Sequence, residues 1–162
     1  MKRRDLLAAA AAWPLVPAPA HAAAAAPGGI VDWPEVTLLD SSRFGPAQAR
    51  GQAMVVVFWS TSCPYCRRHN QHVEKLHRAA TGRALTVLGV ARDRDPEAVR
   101  RHMQLQGHSF PVTQDYRALA SVLSTRNMIP LTVTVDRQGR LRQVIPGEMF
   151  ESDVLELLQL AG

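Results

Sequence analysis

From Met54 to Trp59 the chain runs Met-Val-Val-Val-Phe-Trp, with no polar residue on either face of an extended segment. A strand with one wet face would alternate. An unbroken run rich in β-branched and aromatic residues fits a strand buried on both faces of a parallel sheet. Leu85–Ala91 repeats the pattern, so a second buried strand is predicted there. Between them a helix should open around Cys63 and run to about Ala80, with Thr81-Gly82 supplying a glycine past the last turn. Asp95-Pro96-Glu97 is a clear helix start: an N-cap aspartate, proline at the first helical position and an acid in the first turn. That helix should reach Gln106 and stop at Gly107. Asp115 should cap a shorter one through Leu123. Leu131–Val135 and Arg140–Ile145 flank Asp136-Arg137-Gln138-Gly139, which reads as a tight hairpin turn. Ser152-Asp153 should start a last helix with Val154, Leu157 and Leu158 on its apolar face. Nearer the start, Val36–Leu39 predicts a short strand and Arg43 to Gln52 a loop or short helix. Strands alternating with helices, then a closing hairpin and helix, predict an α/β sandwich around a mixed sheet. There is no internal repeat.

The first residues have a different character. Met1-Lys2-Arg3-Arg4 is a short positive segment, Leu6 through Val16 is modestly apolar, and Ala20-His21-Ala22 has a cleavage-site pattern. Together they read as an export leader over residues 1–22. Arg3-Arg4-Asp5-Leu6-Leu7 is compatible with a twin-arginine signal as well as a Sec signal. Pro14, Pro17 and Pro19 interrupt the apolar stretch, and a spanning helix needs ~20 apolar residues, so cleavage is expected rather than anchoring. Loss of the leader leaves 140 residues, one ordinary domain large enough for a real core, with a linker expected over 23–30 and the domain over 31–162. The protein is expected in the periplasm, as a monomer.

Charge adds little. Loss of Lys2, Arg3, Arg4 and Asp5 takes the 19 basic and 14 acidic residues to 16 and 13. The remaining arginines are scattered among acids, with no aromatic-interleaved basic stripe of the kind nucleic-acid binders carry. No nucleic-acid partner is expected.

The cysteines change the picture. Cys63 and Cys66 are the only two, and Cys63-Pro64-Tyr65-Cys66 follows the strand directly. A bridge across a two-residue gap closes almost no loop and constrains the unfolded chain very little, so the pair points to chemistry. At a helix start the first cysteine meets unpaired N–H groups and the positive end of the helix dipole, which favours its thiolate. Cys63 should therefore titrate below the free value of ~8.5 and be the attacking sulfur, with Cys66 one turn in, shielded, as the resolving one. Pro64 fits the first turn without losing a hydrogen bond. Ile129-Pro130, entering the Leu131 strand, is a candidate cis bond that would present the backbone of Ile129 to a substrate peptide. A trans proline is the default on the residues alone.

Phe58-Trp59-Ser60-Thr61-Ser62-Cys63-Pro64-Tyr65-Cys66 resembles the signature of exported TlpA/ResA-type members of the thioredoxin superfamily. Gly107-His108-Ser109-Phe110-Pro111-Val112, Met128-Ile129-Pro130-Leu131-Thr132, Val135–Arg140 and Pro146-Gly147-Glu148 resemble further segments of that family in order, across about residues 31–160. The resemblance implies a thioredoxin-like three-layer sandwich, a mixed central β-sheet with helices on both faces. It also implies a cis Pro130 and a redox-active disulfide, Cys63–Cys66. The activity implied is a periplasmic thiol:disulfide oxidoreductase kept reduced by a membrane thiol reductase of DsbD/CcdA type. Apocytochrome c or copper-centre assembly proteins are then the disulfide-containing partners, and no cofactor is expected.

Three positions depart from that pattern. Ser62 stands where a tryptophan is usual. Val57 stands where thioredoxins bury an aspartate. His69 stands three residues after Cys66, where reductants of the family often place a glutamate. His69 shares a helical face with Cys66. With an unperturbed pKa near ~6.5 it suits a proton shuttle, the alternative being a solvent-facing helix histidine. With both acids absent the direction of exchange is open, and a DsbA-like oxidase is the runner-up to a reductase. From another class, a Cu(I) metallochaperone could use Cys63 and Cys66 with His69, His72, His77 or Met128 nearby. Covalent c-type haem is excluded, because Arg67 stands where C-x-x-C-H needs histidine. His102 and His108 are predicted at the surface, and Met54, Met103 and Met149 in the core.

Overall fold

The computed structural model describes residues 24–162, so the leader expected over 1–22 lies outside the described residues. The elements follow in the order β1 (Val36–Thr37), β2 (Arg43–Phe44), α1 (Pro46–Ala49), β3 (Ala53–Trp59), α2 (Pro64–Ala79), β4 (Leu85–Ala91) and α3 (Pro96–Gln106). After these come β5 (Val112–Thr113), α4 (Tyr116–Leu123), β6 (Leu131–Val135), β7 (Leu141–Pro146) and α5 (Glu151–Glu156), which tightens into a 3-10 turn over Leu157–Ala161. Five strands make one mixed sheet in the order β5-β4-β3-β6-β7.

β3 is the centre of that sheet, parallel to β4 (Ala53↔Leu85 to Trp59↔Ala91) and antiparallel to β6 (Met54↔Val135 to Phe58↔Leu131). All seven of its residues are buried, which is why it carries no polar alternation. Met54, Val56 and Phe58 face one layer, made by Leu119, Val122 and Leu123 of α4 with Trp33 and Phe44. Val55, Val57 and Trp59 face the other, made by Val73 and Leu76 of α2, Val99 and Met103 of α3, and Val154 of α5. The architecture is the three-layer sandwich expected, helices on both faces of a mixed sheet.

Local signals placed most boundaries. Asp95 accepts from Glu97 N–H as N-cap of α3, Pro96 is its first residue, and Gly107 ends it at φ 67°, a left-handed conformation that glycine adopts without cost. Asp115 precedes α4 as predicted but does not cap it: its Oδ2 accepts instead from Thr37 N–H at 2.8 Å. The expected strand Val36–Leu39 is shorter and pairs with β2 as a small hairpin. The last helix begins one residue earlier than predicted, at Glu151.

The segment expected as a linker is held against the domain from Ala25 onward. Ala25 N–H donates to Val122 O (2.9 Å), Gly28 N–H to Leu141 O (2.7 Å) and Val31 N–H to Gly139 O (2.9 Å), and Ile30 bridges Arg140. The Pro-Gly-Gly composition makes a turn here, with Gly28 at φ 83°. Among the described residues no helix is long and apolar enough to cross a membrane.

Candidate active site

Cys63 and Cys66 form a disulfide, with their Cα atoms 5.2 Å apart. β3 ends at Trp59, the loop Ser60-Thr61-Ser62 turns the chain, and Cys63 becomes the N-cap residue of α2 with an extended backbone. Its Sγ accepts from the N–H of Cys66 at 3.2 Å, and its carbonyl from Arg67 N–H at 3.1 Å. The sulfur therefore sits where a capping oxygen would, against one of the orphan N–H groups of the helix start. In the reduced protein that N–H and the helix dipole stabilise negative charge on Sγ. Cys66 is fully buried, whereas Cys63 is partly exposed. Pro64 is the first helical residue, and Tyr65 is exposed beside the pair, its ring beneath the Arg68 guanidinium at 5.1 Å.

The Ile129–Pro130 peptide bond is cis. Because β3 and β6 are antiparallel, with Phe58 opposite Leu131, the residues after Trp59 and those before Leu131 leave the sheet at the same end. Ile129 and Cys63 both pack on the cluster that contains Cys66. Pro130 is buried, and its carbonyl accepts from Gly147 N–H at 2.8 Å.

Asp93, two residues past β4, fixes the loop that carries Cys63. Its carboxylate accepts from Thr61 N–H (3.0 Å) and from the Thr61 hydroxyl (2.5 Å), with Ser60 Oγ at 3.4 Å. Nothing in the local sequence marks this acid, because its partners lie 32 and 33 residues away.

His69 differs from both sequence readings. It is fully buried rather than facing solvent. Its Nδ1 accepts from Met149 N–H (3.3 Å), which leaves Nε2 to carry the hydrogen and donate to Thr132 Oγ1 (3.0 Å). Burial, aided by the nearby His72, pushes its pKa down to about 4, with Glu148 opposing. The ring is neutral at physiological pH, which corrects the expectation of an ordinary value near 6.5. One helical turn on, His72 Nδ1–H donates to Met149 O at 3.2 Å. Arg68 meets Glu148 through two bonds of 2.8 and 2.6 Å, and Lys75 meets Glu151 at 2.6 Å. One side of α2 thus holds residues 148–151 through both backbone and side chains, and His69 joins that segment to β6. The partners Thr132 and Met149 were not legible in the sequence.

Of two surface expectations, that for His108 is overturned and that for His102, which is half-buried, holds only in part. His108 is buried, with neither ring nitrogen bonded, and His102 Nε2 is likewise buried and unpartnered. Both pack in an aromatic row, Trp59–His102 at 5.4 Å and His108–Phe110 at 5.4 Å between ring centroids, because α3 and the following loop fold over Trp59. Burial lowers the pKa of each. Met54 and Met103 are buried, and Met149 is partly so. Val57 is fully buried in an apolar setting, and Ser62 is exposed. His72 is taken up by Met149 and Glu151. Among the described residues no three His, Cys, Asp or Glu side chains converge as a metal-ion cluster.

The sequence matches the Redoxin family over residues 29–158. It is 26% identical over 113 residues to the thiol-disulfide oxidoreductase ResA of Halalkalibacterium halodurans, covering 70% of this chain and 64% of that one. To ResA of Bacillus subtilis it is 22% identical over 131 residues, covering 80% and 73%. The chain spans less than two thirds of the length of the first curated relatives it matches. Among solved structures, a thioredoxin-family thiol:disulfide interchange protein from Chlorobium tepidum superposes with a TM-score of 0.74 at 25% identity, over 86% of this chain and 99% of that one.

Proposed function

The chain belongs to the Redoxin family, and from that premise we propose that it is an exported thiol:disulfide oxidoreductase that reduces disulfides in substrate proteins. The Cys63 thiolate attacks one sulfur of a substrate disulfide, forming a mixed disulfide and releasing the other substrate sulfur as a thiolate. The Cys66 thiolate then attacks Cys63 Sγ, releases the second substrate thiol and closes Cys63–Cys66. Two electrons pass from the dithiol to the substrate. The substrate backbone lies along Ile129-Pro130, beside Tyr65.

The observation that carries this reading is the asymmetry of the pair. The sulfur bonded to the helix-start N–H is partly exposed, while its neighbour is buried one turn away. Attack and resolution are thereby assigned to different cysteines. His69, neutral and bonded at both nitrogens, positions α2 against β6 and residues 148–151 and does not carry protons at neutral pH.

On this reading the protein works in the periplasm. A membrane thiol reductase of DsbD/CcdA type recharges it, and its substrates are apocytochrome c or copper-centre proteins. A reductant should poise toward thioredoxin's potential of about −270 mV; a value near the about −120 mV of DsbA would instead make it an oxidase. In a protein-disulfide reduction assay, Cys63→Ser should abolish turnover, and Cys66→Ser should accumulate mixed disulfides visible by mass spectrometry. Retained activity in Cys63→Ser would overturn the mechanism.

A further inference from the structure

The segment after β4 and the start of α4 line a groove of about 790 Å³ that includes Arg92, Arg94 and Arg117 together with Asp93, Asp115 and Tyr116. It is attached to the two loops that form the site. Asp93 binds Thr61, two residues before Cys63, and the Arg92 guanidinium donates to Asn127 Oδ1 (2.7 Å), two residues before Ile129. The groove is therefore next to both loops, within reach of residues flanking a disulfide at Cys63.

The charge inside it is unequally available. Both acids are occupied by the protein's own donors, Asp93 by Thr61 and Asp115 by Thr37 N–H. Among the described residues, none of the three arginines has a carboxylate within 4.0 Å. Arg94 and Arg117 are exposed, and Arg92 is held with its guanidinium 4.9 Å over the Tyr116 ring. On the other face of the sheet, by contrast, Arg68 and Lys75 of α2 are each closed onto a glutamate. Guanidinium groups present forks of donors that match carboxylates in pairs, and one already oriented by stacking loses less freedom on binding.

We propose that this groove docks an acidic segment of the substrate protein, flanking the disulfide that Cys63 attacks. The inference rests on the disulfide-exchange reading and adds a specificity to it: a substrate cystine with Asp or Glu residues on one side is engaged first and fastest. Three guanidinium groups against two carboxylates leave the groove net positive, and its two exposed arginines raise the encounter rate of such a segment, an effect that salt screens.

The test uses the reduced full-length protein and three cystine peptides of one sequence, flanked on one side by three Asp, three Ser or three Lys residues. Rates are read by acid quench and chromatography. At low ionic strength the acidic peptide should react about tenfold faster than the neutral one, with the basic peptide slowest, and the spread should collapse at 0.5 M salt, on the order of a 4 Å Debye length. In Arg94→Glu/Arg117→Glu, two exposed positions, the order should invert while the neutral-peptide rate and the reduction potential stay unchanged. Equal rates with the three peptides in the wild type, or an acidic preference that survives in the variant, would overturn the docking site alone. Failure of all three peptides to exchange would overturn the disulfide-exchange reading beneath it.

Discussion

Helix α2 buries two ionisable side chains five residues apart, His69 toward the dithiol end and Glu74 toward the far end, and their surroundings act in opposite directions. His69 meets a backbone N–H and a hydroxyl, neither carrying a full charge, and desolvation leaves the ring neutral. Glu74 meets the N–H and hydroxyl of Ser109, each at 2.7 Å, and the Arg78 guanidinium at 2.7 Å. Burial raises its pKa, but those three donors outweigh burial and hold it below the usual carboxylate range. Burial alone therefore does not decide charge; the partners do. The consequence for the site is direct. With His69 neutral and Val57 apolar, the charge on a reduced Cys63 is supported by the helix start itself, not by an adjacent ion from either residue.

Acid should expose the largest difference between the two positions. His69 is neutral in the fold down to about pH 4, whereas in the unfolded chain it takes a proton below about 6.5. Between those values the unfolded state binds more protons, so stability is complete above pH 6.5 and falls as pH drops toward 4, by about 3 kcal/mol from this residue. Urea midpoints across that range should fall more steeply for the wild type than for His69→Gln. Equal slopes would mean that the ring is charged in the fold. Glu74→Ala should cost about 2 kcal/mol by leaving Ser109 N–H without its acceptor, read by thermal or urea unfolding. Its dithiol potential should not move, since Glu74 serves the α3–β5 loop rather than the cysteines. A shift in potential on that substitution would merge two regions that the structure keeps separate.

The sequence made legible what its neighbours along the chain decide. The buried runs of β3 and β4, the Asp95-Pro96 start of α3 and the strand β6 are local patterns, and each falls on the residues predicted. The two-residue strands β2 and β5 are too short to show a period; partners far along the chain define them. The site divides in the same way. Cys63, Cys66 and Ile129-Pro130 stand in contiguous motifs. Asp93, Thr132 and Met149 do their work across 32, 63 and 80 residues, and become visible only when β4, β6 and the β7–α5 segment are packed around α2. His102 and His108 looked polar and therefore exposed. The fold of α3 and its following loop over Trp59 buries His108 and half-buries His102 instead.

The ionisation of Cys63 in the reduced protein tests the central claim most directly, by following its alkylation rate with iodoacetamide as a function of pH in the Cys66→Ser background. The N–H of residue 66 is a backbone group and survives that substitution, so the rate should reach half its plateau below the free-cysteine value of ~8.5. A midpoint at or above that value would show that the helix start does not support the thiolate, and would contradict the assignment of Cys63 as the attacking sulfur.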